Sequence, residues 1–138
     1  YKVTARVLKT KGYDSAPIDY LVPVDFLLGW GPMSDTSIID KLELNISNRY
    51  ATWRWWGAPP IAPGEISSHA SNHHLVPAND LIRQRLNAVR TGDIVTLEGE
   101  LVNIQDTGGH THYRTSLTRT DTGPGACEVM LVKFVGVR

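Results

Sequence analysis

Gly92-Asp-Ile-Val-Thr-Leu-Glu-Gly-Glu-Leu-Val-Asn-Ile104 is the stretch whose reading decides the fold. Val95, Leu97 and Leu101 share one side parity, with Gly99 between them. Thr96, Glu98 and Glu100 point the other way, the alternation of a half-buried strand. After Leu101 the parity slips, because Val102 and Ile104 are apolar on the opposite side. A bulge or sharp bend near Gly99 restores the register. A small closed barrel needs such a corner in its central strand.

Immediately before this strand, Ala78 to Arg90 reads as a helix. Asn79 is its N-cap, and Asp80 lies in the first turn, where the helix dipole favours an acid. Ile82, Leu86 and Val89, widened by Leu81, form the buried stripe, and Arg83, Gln84, Arg85 and Asn87 take the wet side. Gly92 is placed to close the helix in a left-handed conformation. After the central strand come a Gly108-Gly109 turn, a return strand over His112 to Thr118, a turn at Thr122 to Gly125, and a last strand from Cys127 to Val137. Both sides of that strand are apolar, so it belongs in the interior of the sheet.

Towards the N-terminus, Lys2 to Lys9 alternates as a strand, and Thr10 to Pro23 is a long connection rich in turn residues. Val24 to Trp30 is apolar with Asp25 as its only charge, and Ser34-Asp35-Thr36 caps a short helical turn. Lys41 to Ser47 and Arg49 to Trp56 form a hairpin about Ser47-Asn48. Gly57 to Gly64, with Pro59, Pro60 and Pro63, is an ordered loop, and 65–77 continues as loop.

The 138 residues suffice for one domain, 1–138, with its own core. Fourteen basic and fourteen acidic residues cancel, so charge gives no case for nucleic acid as a partner. No run is apolar for the length of a membrane span. The single cysteine, Cys127, excludes an internal disulfide. The sequence opens at Tyr1, which either a cleaved leader or a trimmed sequence explains.

The expected class is mainly β with one α-helix. The helix between the third and fourth strands resembles the OB-fold, a small antiparallel Greek-key barrel, over roughly residues 2–137. The phrases Ser71-Asn-His-His-Leu-Val-Pro-Ala78 and Thr115-Ser-Leu-Thr-Arg-Thr-Asp-Thr-Gly123 resemble stretches of uncharacterised membrane-anchored bacterial proteins. That resemblance implies a cell-envelope location, with any anchor outside this sequence, and no particular activity. Without it the cytoplasm is the default.

Three constellations carry chemistry. His69, His73, His74, His110 and His112 fall in two groups whose spacings let imidazoles share an ion. A zinc ion on His69, His73, His74 and His112, with Glu65, Asp106 or Asp121 nearby, would define a metal-dependent hydrolase. The bland counterpart has His74 under the helix entry bonded to backbone, and His110 and His112 exposed. Cys127, with His69, His74 or His112 as base and Asp121 as orienter, would define a cysteine hydrolase or transferase. Its position on the core parity of an apolar strand reads instead as a small buried hydrophobe. Arg119 with Asp121 reads as an ion pair fixing the last turn. The third constellation is Trp53-Arg-Trp-Trp56, with Trp30 and Tyr50. The favoured expectation is a non-catalytic module without a cofactor. It would recognise a small ligand, a saccharide or a protein through Trp53, Arg54, Trp55 and Trp56, with His69 and Asn72 from the 57–77 loop. The competing arrangement has the proline-rich loop folded over the indoles.

Overall fold

A computed structural model describes residues 1–118 and 127–138. The expected turn at 122–125 and the Arg119–Asp121 pair lie outside the described residues. Strand β1 (Lys2–Gly12) is followed by a 3-10 turn (Pro17–Tyr20), β2 (Val24–Gly29), a second 3-10 turn (Gly31–Ser34) and the short helix α1 (Thr36–Ile39). Then come β3 (Glu43–Ser47), β4 (Tyr50–Arg54), α2 (Pro63–Ser68), β5 (Ala70–Pro77) and α3 (Asp80–Ala88). The chain ends with β6 (Ile94–Leu101), β7 (Ile104–Gln105), β8 (Thr111–Tyr113) and β9 (Glu128–Val137).

Five strands close a barrel in the order β1-β2-β5-β9-β6, and β6 returns to β1. All neighbouring pairs are antiparallel except β5 with β9, which is parallel. The long helix α3 lies between the third and fourth barrel strands, so the molecule is mainly β and compatible with an OB-like barrel. The expected bulge is present: the β6–β9 register shifts between Glu98 and Gly99. A Cβ added to Gly99 would fall on the Leu131 carbonyl oxygen, so the close approach of two backbones at this corner requires glycine.

Four expectations are corrected. The third barrel strand is β5, not a strand of the tryptophan hairpin; β3 and β4 form a separate two-stranded sheet. Segment 70–77 hides from a periodicity reading because Ser71, Asn72, His73 and His74 interrupt any apolar alternation. The short helical turn expected at Ser34-Asp35-Thr36 is α1, capped by Asp35, which accepts the Ser37 N–H at 2.9 Å; α2 instead stands where a loop was expected, and the strand expected over 112–118 is only Thr111–Tyr113. Leu81 is exposed and does not widen the stripe of α3.

Two apolar clusters hold these parts together. Inside the barrel, Val7, Phe26, Leu28, Leu75, Leu97 and Met130 pack with Ile82, Leu86 and Val89 of α3. Asn79 caps that helix by accepting the Ile82 N–H at 2.9 Å. The second cluster, Leu8, Leu27, Met33, Ile46, Ile66 and Ala70, is joined by Trp53 and Trp55 and includes residues of the β3–β4 hairpin. The adjacent Val7 and Leu8 point to opposite sides of β1 and so enter different clusters, and the pairing of β1 with β2 shifts register between Val7 and Lys9.

Candidate functional site

Two polar assemblies meet at β5, whose consecutive histidines have opposite side parity. His73 is fully buried, with its Nε2 2.9 Å from the Tyr1 hydroxyl and its Nδ1 3.2 Å from the Ser71 carbonyl. A carbonyl only accepts, so a neutral His73 donates from Nδ1 and receives the Tyr1 O–H at Nε2. The buried Glu128 carboxylate lies 3.9 Å from His73 Nδ1 and accepts the Ser71 hydroxyl.

His74 instead donates from Nδ1 to Asp25 Oδ1 at 3.0 Å. Asp25 is fully buried on β2 and also receives Arg49 Nη1 at 3.0 Å and Asn72 Nδ2 at 3.1 Å. A carboxylate in that position is stable only if charge and hydrogen bonds reach it. Arg49 supplies the charge from the tip of the β3–β4 hairpin. Its Nη2 donates to Asp19 Oδ1 at 2.8 Å and to the Val22 carbonyl at 2.7 Å, and its guanidinium lies 3.6 Å from the Tyr13 ring centre. Tyr113 covers the same group at 5.8 Å and packs on His74 at 5.0 Å. To reach this place the tip takes two left-handed residues, Asn48 at φ 50° and Arg49 at φ 71°. Asparagine tolerates that conformation; for an arginine it costs about 1 kcal/mol.

The electrostatics follow from this packing. The Ala16 N–H, then Arg49 and the Ser15 N–H, hold Asp19 below the usual carboxylate range. Burial works against the charge on Arg49, but Asp25 and Asp19 outweigh it and strengthen its hold on the proton. Burial, then the Asp25 charge, pushes the Tyr13 phenol up to about 12 from an ordinary value of 10.0. A group whose folded pKa is raised keeps its full contribution below the unfolded value and loses it as pH climbs past the folded one. Wild-type stability is therefore expected to fall more steeply between about pH 10 and 12 than that of Tyr13→Phe. Urea midpoints of the two proteins across that range check this, and parallel curves would refute it.

The sequence-predicted residues are scattered. Trp53 and Trp55 are half-buried and pack against the second apolar cluster. Trp56 is 70 % exposed, Tyr50 is 50 % exposed, and the Arg54 guanidinium sits 5.5 Å from the Trp56 ring while pairing with Glu43 at 2.7 Å. Asn72 is only 3 % exposed and belongs to the buried network around Asp25, away from the exposed Trp56. His69 is half-buried, its Nδ1 2.7 Å from the Glu65 carbonyl, and a Cβ on Gly31 would press on its ring. His112 stands on the β7–β8 hairpin, 3.3 Å from Asp106 and beside His110. His69, His73, His74 and His112 thus occupy separate surroundings. Among the described residues no group of three or more His, Cys, Asp or Glu is placed to hold a metal, so the zinc set is not assembled.

His74 bonds a carboxylate and not the backbone expected for it. Cys127 is half-buried just before β9; it shares the parity of the buried Val129, whereas Met130 and Val132, of the other parity, fill the barrel core, so it does not face that core. Asp121, its expected orienter, lies outside the described residues. Sequence reasoning missed Arg49, Asp19 and Tyr13 altogether. The signal for them was Asp25, a lone charge in an apolar strand, which demanded a partner from elsewhere.

OB-folds bind ligands on the face of their second and third strands. Here that face, on β2 and β5, carries Asp25, Leu27, Asn72 and His74, and the hairpin residues Ile46 and Arg49 pack onto it. A comparison with family models, with curated proteins and with solved structures finds no match to this chain.

Proposed function

We propose that the protein is a non-catalytic binding module that recognises an extended saccharide with the outward side of the β3–β4 hairpin. The observation that carries this reading is the exposed Trp56, with Arg54 against its ring and the exposed Tyr50 on the same strand parity. The other side of the hairpin packs on the second apolar cluster, which gives these rings a rigid base. Aromatic faces suit the apolar side of a sugar ring, and Arg54, Glu43, Asn45 and Thr52 offer donors and acceptors to hydroxyl groups. Tyr50 and Arg54 stand at the two ends of β4, about 13 Å apart along the strand, and Trp56 follows two residues past its end. That spread fits a chain of rings better than one compact molecule. The balanced charge of the sequence gives no pull towards a polyanion. An extracytoplasmic setting, where saccharides are abundant, agrees with the envelope location the sequence phrases imply.

Tryptophan fluorescence titrated with soluble cello- and chito-oligosaccharides tests the reading. A saturable change is expected in the wild type. Trp56→Ala is expected to weaken binding at least tenfold, about 1.4 kcal/mol, with the far-ultraviolet spectrum unchanged. Absence of saturation throughout the panel, or equal binding by Trp56→Ala, would remove the proposal.

A further inference from the structure

The surroundings of Arg49 have the composition of a recognition site and not of a surface ion pair. Two carboxylates and a carbonyl receive three N–H bonds at 2.7–3.0 Å, and an aromatic ring lies against the guanidinium face at 3.6 Å. Planar groups with several donors are read this way, and an ammonium ion cannot reproduce the pattern. The backbone of the bound arginine is read as well, because Asn72 Nδ2 donates to its carbonyl at 3.1 Å and the Tyr13 hydroxyl accepts its N–H at 3.2 Å. The other end of the same Asn72 amide, Oδ1, is buried and has no hydrogen-bond partner among the described residues. The resident arginine therefore leaves one acceptor beside the site unused.

We propose that Tyr13, Asp19, the Val22 carbonyl, Asp25 and Asn72 form a binding site for an arginine side chain carried on a tight turn. Arg49 is its built-in occupant, and a turn-borne arginine of a partner protein is the external ligand class. The hairpin, fixed to the same chain, competes at an effective concentration in the millimolar range. An external arginine gains entry only as the tip withdraws, so the site is self-occupied by design.

Emptying the site exposes this property. Arg49→Ala is expected to be stabilised saturably by N-ethylguanidine, with a melting temperature several degrees higher at ~50 mM, the concentration scale of the lost internal ligand. Ethylamine at the same concentration is expected to have no such effect. The peptide Ser47–Ala51, the hairpin tip itself, should bind Arg49→Ala and lose binding when its arginine is replaced by lysine. The wild type, already filled, and the double variant Asp25→Ala/Arg49→Ala should not respond. If Arg49→Ala alone is unfolded, N-ethylguanidine should restore its circular dichroism spectrum. An equal response to ethylamine, a response of the double variant, or no response of Arg49→Ala overturns the proposal. Oligosaccharide binding, read at Trp56 in the wild type, is independent of all these outcomes.

Discussion

Arg49→Ala is expected to lower the unfolding free energy by about 3 kcal/mol or more, the cost of stranding a buried charge. The charge is Asp25, fully buried, which keeps bonds from Asn72 and His74 but loses its permanent cation. Removal of the guanidinium also leaves the Val22 carbonyl and Asp19 without their Arg49 donors. Arg49→Lys is expected to recover only part of the loss, because one ammonium cannot bridge two carboxylates and a carbonyl in a plane. Asp25→Ala/Arg49→Ala should be less destabilised than the sum of its two single variants, since the second substitution removes the stranded charge. Urea unfolding of the four variants beside the wild type checks this. Additive costs for Arg49 and Asp25 would mean that the two groups do not act as a unit.

The second large effect is expected at the barrel corner. Gly99→Ala adds a carbon where the Leu131 carbonyl oxygen already stands, and that atom belongs to a backbone paired on both sides. The strand must move or the bulge must open, at a cost of about 3 kcal/mol. Gly64→Ala is the control, because a Cβ there meets nothing within 4 Å. It should change stability by no more than about 0.5 kcal/mol. Similar urea midpoints for the two variants would show that the corner does not depend on this close approach.

These two positions mark what the sequence discloses and what it conceals. Gly99 is legible because a strand's alternation breaks beside it, and only a local distortion can mend that break. The helix 80–88 is legible through its cap and its apolar stripe. By contrast β5 carries a polar run, Ser71-Asn-His-His74, whose burial is settled by partners far away in sequence: Tyr1, Asp25, Arg49 and Glu128. Local periodicity contains no trace of such partners. The same gap explains the misassigned hairpin. Leu44, Ile46 and Trp53 alternate as any sheet strand would, and nothing local says that they pack outside the barrel and not within its wall. The tryptophan motif was found, but its division into two packed indoles and one exposed ring follows from that placement.

The inner side of the β3–β4 hairpin packs on β2 and β5, so under the proposed reading a saccharide meets only its outer side. Amide chemical-shift mapping with the tightest-binding oligosaccharide of the fluorescence panel is the decisive measurement. Perturbations should centre on residues 50–56 and spare Asp25, Leu27, Asn72 and His74. Shifts centred on those four, or none from any sugar at saturating concentration, would contradict it.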